Sequence, residues 1–294
     1  MPTIAQYQVF RAYLLETVKR LLTPEMSLLR TDSSSYRQII FDAPATQAEI
    51  TAVEDEIGTA MPQELQNFFL YVSKEIVIRW GLPSRPANLA DEWGRRIYPE
   101  EPPEAFMQWA YAPGPDGDPG PDNYKSPEIE GAALVLALSG PSGVAAAFRH
   151  RESWRDFYDP ERAANNVERD HFQQILDFYD AGFPFAIAPN GDLLAIDMRD
   201  GADHLMHLSH EGEVAGIELD TRLAQLMAHQ AILGFVGFDF PVLQRFNARP
   251  VAEQDDVIEL VSFRSDTADG QLWADWFWLG NPPGWPEALS KDQQ

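Results

Sequence analysis

Apolar residues recur at three- and four-residue spacing near the start of the chain, which is the pattern of an amphipathic helix. The helix is predicted over residues 3–22, with Thr3 as its N-cap and its apolar face formed by Ile4, Tyr7, Phe10, Leu14, Val18 and Leu21. Two shorter helices follow. Thr46 and Glu49 have the spacing of a capping box, and Gly58 is placed for a left-handed stop. Pro62 suits the first position of the next helix.

Short apolar or alternating runs predict the strands. They cover residues 36–41, 75–80, 132–138, 144–148, 183–188, 192–198 and 204–209. A turn over Ser139–Gly143 is expected between two of these strands, and Asn190-Gly191 predicts a tight type I′ hairpin. Further helices are predicted over residues 167–179 and over 221–236, the second capped by Asp220.

The stretch from Pro83 to Pro127 is dense in proline, glycine and acid, which predicts a long exposed loop. Carboxylates and aromatic rings alternate along it, a combination typical of protein interfaces. The predicted partner-binding residues are Asp91, Glu92, Trp93, Glu100, Glu101, Glu104, Trp109, Asp116, Asp118 and Asp122. An alternative is that the aromatic rings attach the loop to the core. The same two interpretations apply to the tryptophans of the tail, where packing is favoured.

The formal net charge of the 294 residues is −24, which opposes binding to nucleic acid or to an anionic membrane and favours a basic partner. A strongly hydrated surface is the simpler explanation of the same charge. The longest apolar run, residues 132–138, is far shorter than the roughly 20 residues that span a bilayer. The N-terminal helix lacks the apolar core of a signal peptide, so a cytoplasmic location is expected. No cysteine is present, which excludes disulfides and thiolate chemistry.

The best metal candidate combines the histidines of one short stretch with an adjacent carboxylate: His204, His207, His210 and Glu211. On a strand, His204 and His207 would point to opposite faces, and Val214 stands where a zinc protease would have its second histidine. Ordinary residues of a strand end are therefore the favoured interpretation.

Two other patterns suggest chemistry without completing it. Asp116, Asp118 and Asp122 suggest calcium, but the prolines between them disrupt an EF-hand loop. The Ser139–Gly143 turn lacks the spacing of a nucleophile elbow, and His150 has no evident reason to face it. The sequence therefore predicts no metal, no cofactor, no catalytic residues and no enzymatic activity.

Two groups of motifs together resemble one known family. The first is the pair of helices over Pro44–Gly58 and Met61–Leu70, followed by Trp80. The second is the run Asn190–Asp197, then His207–Gly212, then a helix ending near Phe235. Their order resembles the SUKH superfamily, which includes the Smi/Knr cell-wall assembly regulators and bacterial immunity proteins. The resemblance covers residues 44–246, but the Asn-Gly-Gly usual after the second helix is absent.

The resemblance implies an α+β domain with a mixed or antiparallel sheet and helices packed on one side. The expected domain occupies residues 44–250, with the acidic insertion at 83–130. Residues 1–43 add an N-terminal helix and a connecting segment, and residues 251–294 add a tryptophan-rich extension.

The resemblance also implies a function in protein binding. The leading hypothesis is an immunity protein that neutralises a cognate toxin, and the acidic surface suggests a basic toxin of the nuclease type. The alternative is an endogenous scaffold or regulator of the Smi/Knr type, acting in cell-wall or signalling control. A third hypothesis is an undetected hydrolase, which would require a pocket where histidine and carboxylate side chains converge.

Overall fold

The computed structural model describes residues 2–21, 38–81, 131–199, 204–210, 216–248, 260–268 and 270–271. These residues form helices and antiparallel strands together, so the predicted α+β class is confirmed. The helices are α1 (Ile4–Leu21), α2 (Gln47–Ile57), α3 (Gln63–Tyr71), α4 (Val144–Arg155), α5 (Asn166–Ala181), α6 (Leu223–Ile232) and α7 (Phe240–Arg245). The strands are β1 (Gln38–Phe41), β2 (Glu75–Gly81), β3 (Gly131–Ala137), β4 (Gly182–Ile187), β5 (Leu193–Asp197), β6 (Leu205–Leu208) and β7 (Ile217–Leu219). None of the described helices combines the length and the hydropathy needed to cross a bilayer.

The helix ends of the N-terminal half confirm the predicted caps. The Thr46 N–H donates to Glu49 Oε2 at 2.7 Å, and the Glu49 N–H donates to Thr46 Oγ1 at 3.3 Å, so the capping box is complete. Gly58 ends α2 with φ of 71°, and its N–H donates to the carbonyl of Glu54. Pro62 is the N-cap of α3 and not its first helical residue, so the helix begins one residue later than predicted.

The first sheet has the order β1-β2-β3, and all of its strands are antiparallel. Val77 in the central strand pairs with Ile40 on one side and Val135 on the other. Gly81 pairs with Gly131, so the two ends of the connection 82–130 are adjacent at one end of this sheet.

The prediction of a strand over residues 144–148 is wrong, because these residues begin helix α4. A five-residue apolar run fits a buried strand and one face of a helix equally well. Here Ala145–Ala147 are strong helix formers, and Gly143 provides an extended N-cap. The predicted turn over Ser139–Gly143 exists, but it connects a strand to a helix.

The second sheet is an antiparallel meander with the order β4-β5-β6-β7. The predicted hairpin joins β4 to β5, but its turn is not type I′. That turn needs positive φ at both central residues, whereas Gly191 has φ of 99° and Asn190 does not have a positive φ. The Gly191 N–H donates to the Ala188 carbonyl at 2.9 Å, which closes a three-residue loop starting at Pro189.

Helix α6 is shorter than predicted and has a different cap. Arg222 is its N-cap, while Asp220 instead bonds to the segment at 261–262 through its backbone and carboxylate. After Ile232 the chain leaves the helix, and Gly234 and Phe235 both have positive φ.

Hydrophobic side chains of both sheets join one main core. Leu134 of the first sheet and Leu194 of the second belong to it, together with side chains from α1, α3 and α6 and with Phe263. Alternate residues of the second sheet, such as Leu193 and Met206, enter another cluster with α4 and α5. The second sheet is therefore buried on both faces, which adds a helical layer to the expected one-sided packing.

Candidate partner-binding surface

The predicted partner-binding residues lie outside the described residues, since all of them fall between positions 91 and 122. The same is true of the calcium candidates and of Glu211. The histidines of the metal candidate are described, and the structure separates them. The side chains of His207 and His210 lie near Asp192. His204 lies at the other end of β5, where its backbone carbonyl accepts the Asp197 N–H. Within the described residues, no group of three or more histidine, aspartate or glutamate side chains has the arrangement of a metal site.

Asp192 organises the end of the β4–β5 hairpin. It is 4% exposed and follows the turn directly. Its Oδ1 accepts the His210 N–H at 2.9 Å and lies 2.7 Å from His210 Nδ1. The side-chain amide of Asn190 donates to Oδ2 at 2.7 Å. One buried carboxylate thus links the hairpin turn to the end of β6.

A second histidine approaches the same carboxylate from inside the protein. His207 is 1% exposed, and its Nε2 lies 3.2 Å from Asp192 Oδ2. That distance suits an ion pair when the His207 ring is protonated. Burial raises the pKa of Asp192, but contacts with His207 and with the backbone and ring of His210 outweigh it. They hold the pKa of Asp192 well below its usual range, so the carboxylate is charged at neutral pH.

Helix α4 covers the other side of the hairpin turn. His150 Nε2 lies 2.8 Å from the Gly191 carbonyl oxygen and 3.0 Å from the indole nitrogen of Trp154. A protonated Nε2 donates to Gly191, whereas an unprotonated Nε2 accepts from Trp154. A Cβ on Gly191 would be 3.7 Å from both His150 and His210, so the turn fits between the two rings.

Aromatic rings continue from this point to the protein surface. The Trp154 ring centroid lies 5.1 Å from that of His210 and 6.2 Å from that of Phe157. Tyr158 is buried, and its hydroxyl donates to the His210 carbonyl. Phe157, in contrast, is 65% exposed. We call the surface formed by His150, Trp154, Phe157 and His210 the aromatic–histidine surface.

Paired charges line a groove that none of these four residues enters. The groove has a volume of about 680 Å³ and lies between α2, α4 and β4. Arg149 forms an ion pair with Glu56 at 2.8 Å, and Arg151 donates to the Gly182 carbonyl at 2.9 Å. The guanidinium of Arg151 also covers the ring of Phe148. These arginines connect α4 to its neighbours and are engaged by partners within the protein.

A serine and a histidine meet elsewhere in the structure. Ser265 Oγ lies 2.9 Å from His229 Nδ1, and the Ser265 N–H donates to the same nitrogen at 3.0 Å. Burial lowers the pKa of His229 to about 4, which makes the ring a weak base at neutral pH. The contact holds the segment around Ser265 against α6.

Helical periodicity could have revealed the aromatic–histidine surface from the sequence. His150, Trp154 and Phe157 have the i, i+4, i+7 spacing of one helix face. The prediction of a strand over 144–148 concealed it. The contacts of His150 with Gly191 and of Trp154 with His210 have no local sequence signal, because they join elements about 40 to 60 residues apart.

No family model matches this sequence, and no curated protein or solved structure is significantly similar to it.

Proposed function

We propose that this protein is a SUKH-type immunity protein that binds a basic toxin domain and blocks its substrate groove. The net charge of −24 is the observation that carries the proposal. Nuclease toxins need basic grooves to hold phosphates, and carboxylates of an inhibitor can occupy such a groove. Opposite charge also speeds the encounter of two proteins by about tenfold or more at low salt.

Two structural features support the proposal. The α+β architecture with antiparallel sheets is the class that the resemblance implies. In addition, the two motifs of the second half are in contact, since Asp192 of the first bonds to His210 of the second. The hairpin motif and the motif that begins at His207 are thus joined by hydrogen bonds in the folded protein.

Affinity capture from a lysate of the source cell tests this function. The full chain is immobilised, and bound proteins are released by low and then by high salt. We expect a basic toxin domain to be retained at low salt and released at high salt. Recovery of housekeeping proteins alone would favour the endogenous scaffold or regulator instead.

A reconstituted assay then tests neutralisation. The captured domain is purified and incubated with plasmid DNA, with and without an equimolar amount of the full chain. We expect the chain to suppress cleavage, and we expect their association rate to fall steeply as salt rises. Normal cleavage in the presence of a bound chain would contradict the immunity function. A salt-insensitive association would contradict the electrostatic mechanism alone.

A further inference from the structure

Asn190 and Gly191 are the one asparagine–glycine pair of the sequence, and they lie in the turn between β4 and β5. Asn190 is exposed, and Gly191 has φ of 99°. Asparagine loses its side-chain amide most readily when glycine follows it, because glycine has no side chain that keeps the next backbone nitrogen away from the asparagine Cγ. The turn therefore presents a reactive amide to water.

The reaction needs water as its only co-reactant. The Gly191 nitrogen gives its proton to a base in the solvent and attacks Cγ of Asn190, which forms a cyclic succinimide. The side-chain nitrogen takes up a proton and leaves as ammonia. Water then opens the ring at its side-chain carbonyl to give aspartate, or at its backbone carbonyl to give isoaspartate. In sum, an amide and water become a carboxylic acid and ammonia.

The closed turn holds both reacting groups. The Gly191 N–H donates to the Ala188 carbonyl at 2.9 Å, so the attacking nitrogen is engaged. The side-chain amide of Asn190 donates to Asp192 Oδ2 at 2.7 Å, and its oxygen accepts the Asp192 N–H at 3.1 Å. Attack on Cγ therefore requires the turn to open. Local opening of an exposed loop takes less free energy than unfolding of the whole chain.

Neither product fits the closed turn. A carboxylate at position 190 would replace the donor that lies 2.7 Å from Asp192 Oδ2, and two carboxylates at that distance cannot both keep their charge without a penalty. Isoaspartate adds a methylene group to the main chain and displaces Gly191, whose carbonyl oxygen lies 2.8 Å from His150 Nε2. Closure of the turn is therefore less favourable after the reaction than before it.

We propose that Asn190 is a deamidation site, protected while the β4–β5 turn is closed and converted to aspartate or isoaspartate when the turn opens. The modification goes beyond the proposed function and does not depend on it. It removes a donor from Asp192 and displaces the partner of His150, so it loosens one side of the aromatic–histidine surface. No step of the reaction restores the amide, so the change accumulates with the time that the turn spends open.

Ageing of the full chain at mildly alkaline pH tests the reaction, because the Gly191 nitrogen must lose its proton. One sample is kept folded and another is unfolded in guanidinium chloride, both in water labelled with heavy oxygen. Mass spectrometry then follows the peptide that contains Asn190. We expect this peptide to exchange its amide nitrogen for labelled oxygen in both samples. The folded sample is expected to react at least about tenfold more slowly, since opening must break the hydrogen bonds of both reacting groups.

The chain supplies its own controls. Each of its other asparagines is followed by a residue other than glycine, and these asparagines are expected to stay intact over the same period. Asn190→Gln keeps an amide at the turn, but attack on its longer side chain closes a larger ring more slowly, so no labelled oxygen is expected at this position. An Asn190 that stays intact in the folded chain would overturn the inference. Equal rates in the folded and unfolded samples would overturn the protection assigned to the closed turn.

Asn190→Asp places the carboxylate of one product in the turn and tests its effect. Asn165→Asp is the matched control, because it adds the same charge at the N-cap of α5, where a carboxylate accepts the Glu168 N–H as well as an amide does. We expect Asn190→Asp to lower the denaturant midpoint and to shift the NMR signal of the Trp154 indole N–H, which is assigned by its loss in Trp154→Phe. Asn165→Asp is expected to leave both unchanged. Equal behaviour of the two aspartate variants would overturn the structural effect assigned to the modification.

Discussion

Two buried carboxylates lie at the ends of strand β5, and they have different kinds of partner. Asp192 precedes the strand and is 4% exposed, while Asp197 ends it and is 5% exposed. The partners of Asp192 are two histidines, one of them 1% exposed. The partner of Asp197 is Arg199, whose side chain is 46% exposed. The two carboxylates are therefore equally buried, but the partner of Asp197 is more exposed to water than the partners of Asp192.

The two sites differ in what they connect. Arg199 bridges Asp197 to Glu218, so it closes the solvent-facing end of β5 with permanent charges. Asp192 ties the hairpin turn to β6 and to rings that continue to the surface at Phe157. The ion pairs of Arg199 connect only strands of the second sheet. The contacts of Asp192, in contrast, also hold residues of the aromatic–histidine surface in place.

Asp192→Asn is expected to have the largest effect on stability. An amide is uncharged and has one oxygen in place of two, so it cannot keep the contacts with both His210 and Asn190, and losing hydrogen bonds to a buried carboxylate costs about 3 kcal/mol of the free energy of unfolding. Asp197→Asn is expected to cost about 1 kcal/mol, because water reaches its partner. Urea denaturation at neutral pH measures both. A smaller loss for Asp192→Asn than for Asp197→Asn would contradict the comparison.

The pH dependence of stability is expected to show two separate losses. Burial lowers the pKa of His229 from 6.5 to about 4, so the unfolded state takes up a proton first as pH falls through this window. Stability then drops by on the order of 3 kcal/mol between about pH 6.5 and pH 4. Urea midpoints measured across this range test the loss, and His229→Gln is expected to remove it.

The second loss lies at lower pH and distinguishes the two carboxylates. Burial raises the pKa of Asp192 and of Asp197, but their basic partners outweigh it and hold both values below the usual range. Their stabilisation is therefore complete above about pH 4 and is lost as pH falls further. We expect Asp192→Asn to remove more of this loss than Asp197→Asn. An unchanged acid profile in Asp192→Asn would contradict the role assigned to its charge.

Arg199→Met is expected to have a smaller effect that depends on salt. Half-exposed ion pairs contribute about 1 kcal/mol or less, and salt screens them. The difference in unfolding free energy between Arg199→Met and the unmodified chain is therefore expected to shrink in high salt. The loss caused by Asp192→Asn is expected to persist there, because Asp192 and His207 are buried. Parallel urea titrations at two salt concentrations decide between these outcomes.

Phe157→Leu is expected to change stability least, by about 0.5 kcal/mol or less, since the ring is mostly in water. Thermal unfolding measures this effect. A large loss would show that Phe157 supports the fold.

The candidate surface was predictable in part. The hairpin at Asn190-Gly191 follows from turn chemistry, which places Asp192 at a strand start. The helix face through His150 and Trp154 was accessible from periodicity but was hidden by the strand predicted at its beginning. The contacts of Asp192 with His207 and His210 depend on which strands pair, and pairing is a long-range property.

Local hydrogen bonding explains what the sequence alone determined. The capping box at Thr46 and the left-handed stop at Gly58 provide hydrogen bonds to backbone groups only a few residues away. Their patterns can therefore be recognised in the sequence. The helical conformation of the first turn of α4 depends on tertiary packing. Its short apolar run is compatible with a strand or a helix, and contacts with neighbouring elements select the helix. Tertiary structure alone also brought Asp192, the two histidines and Trp154 together, since their contacts are favourable only after the core has closed around them.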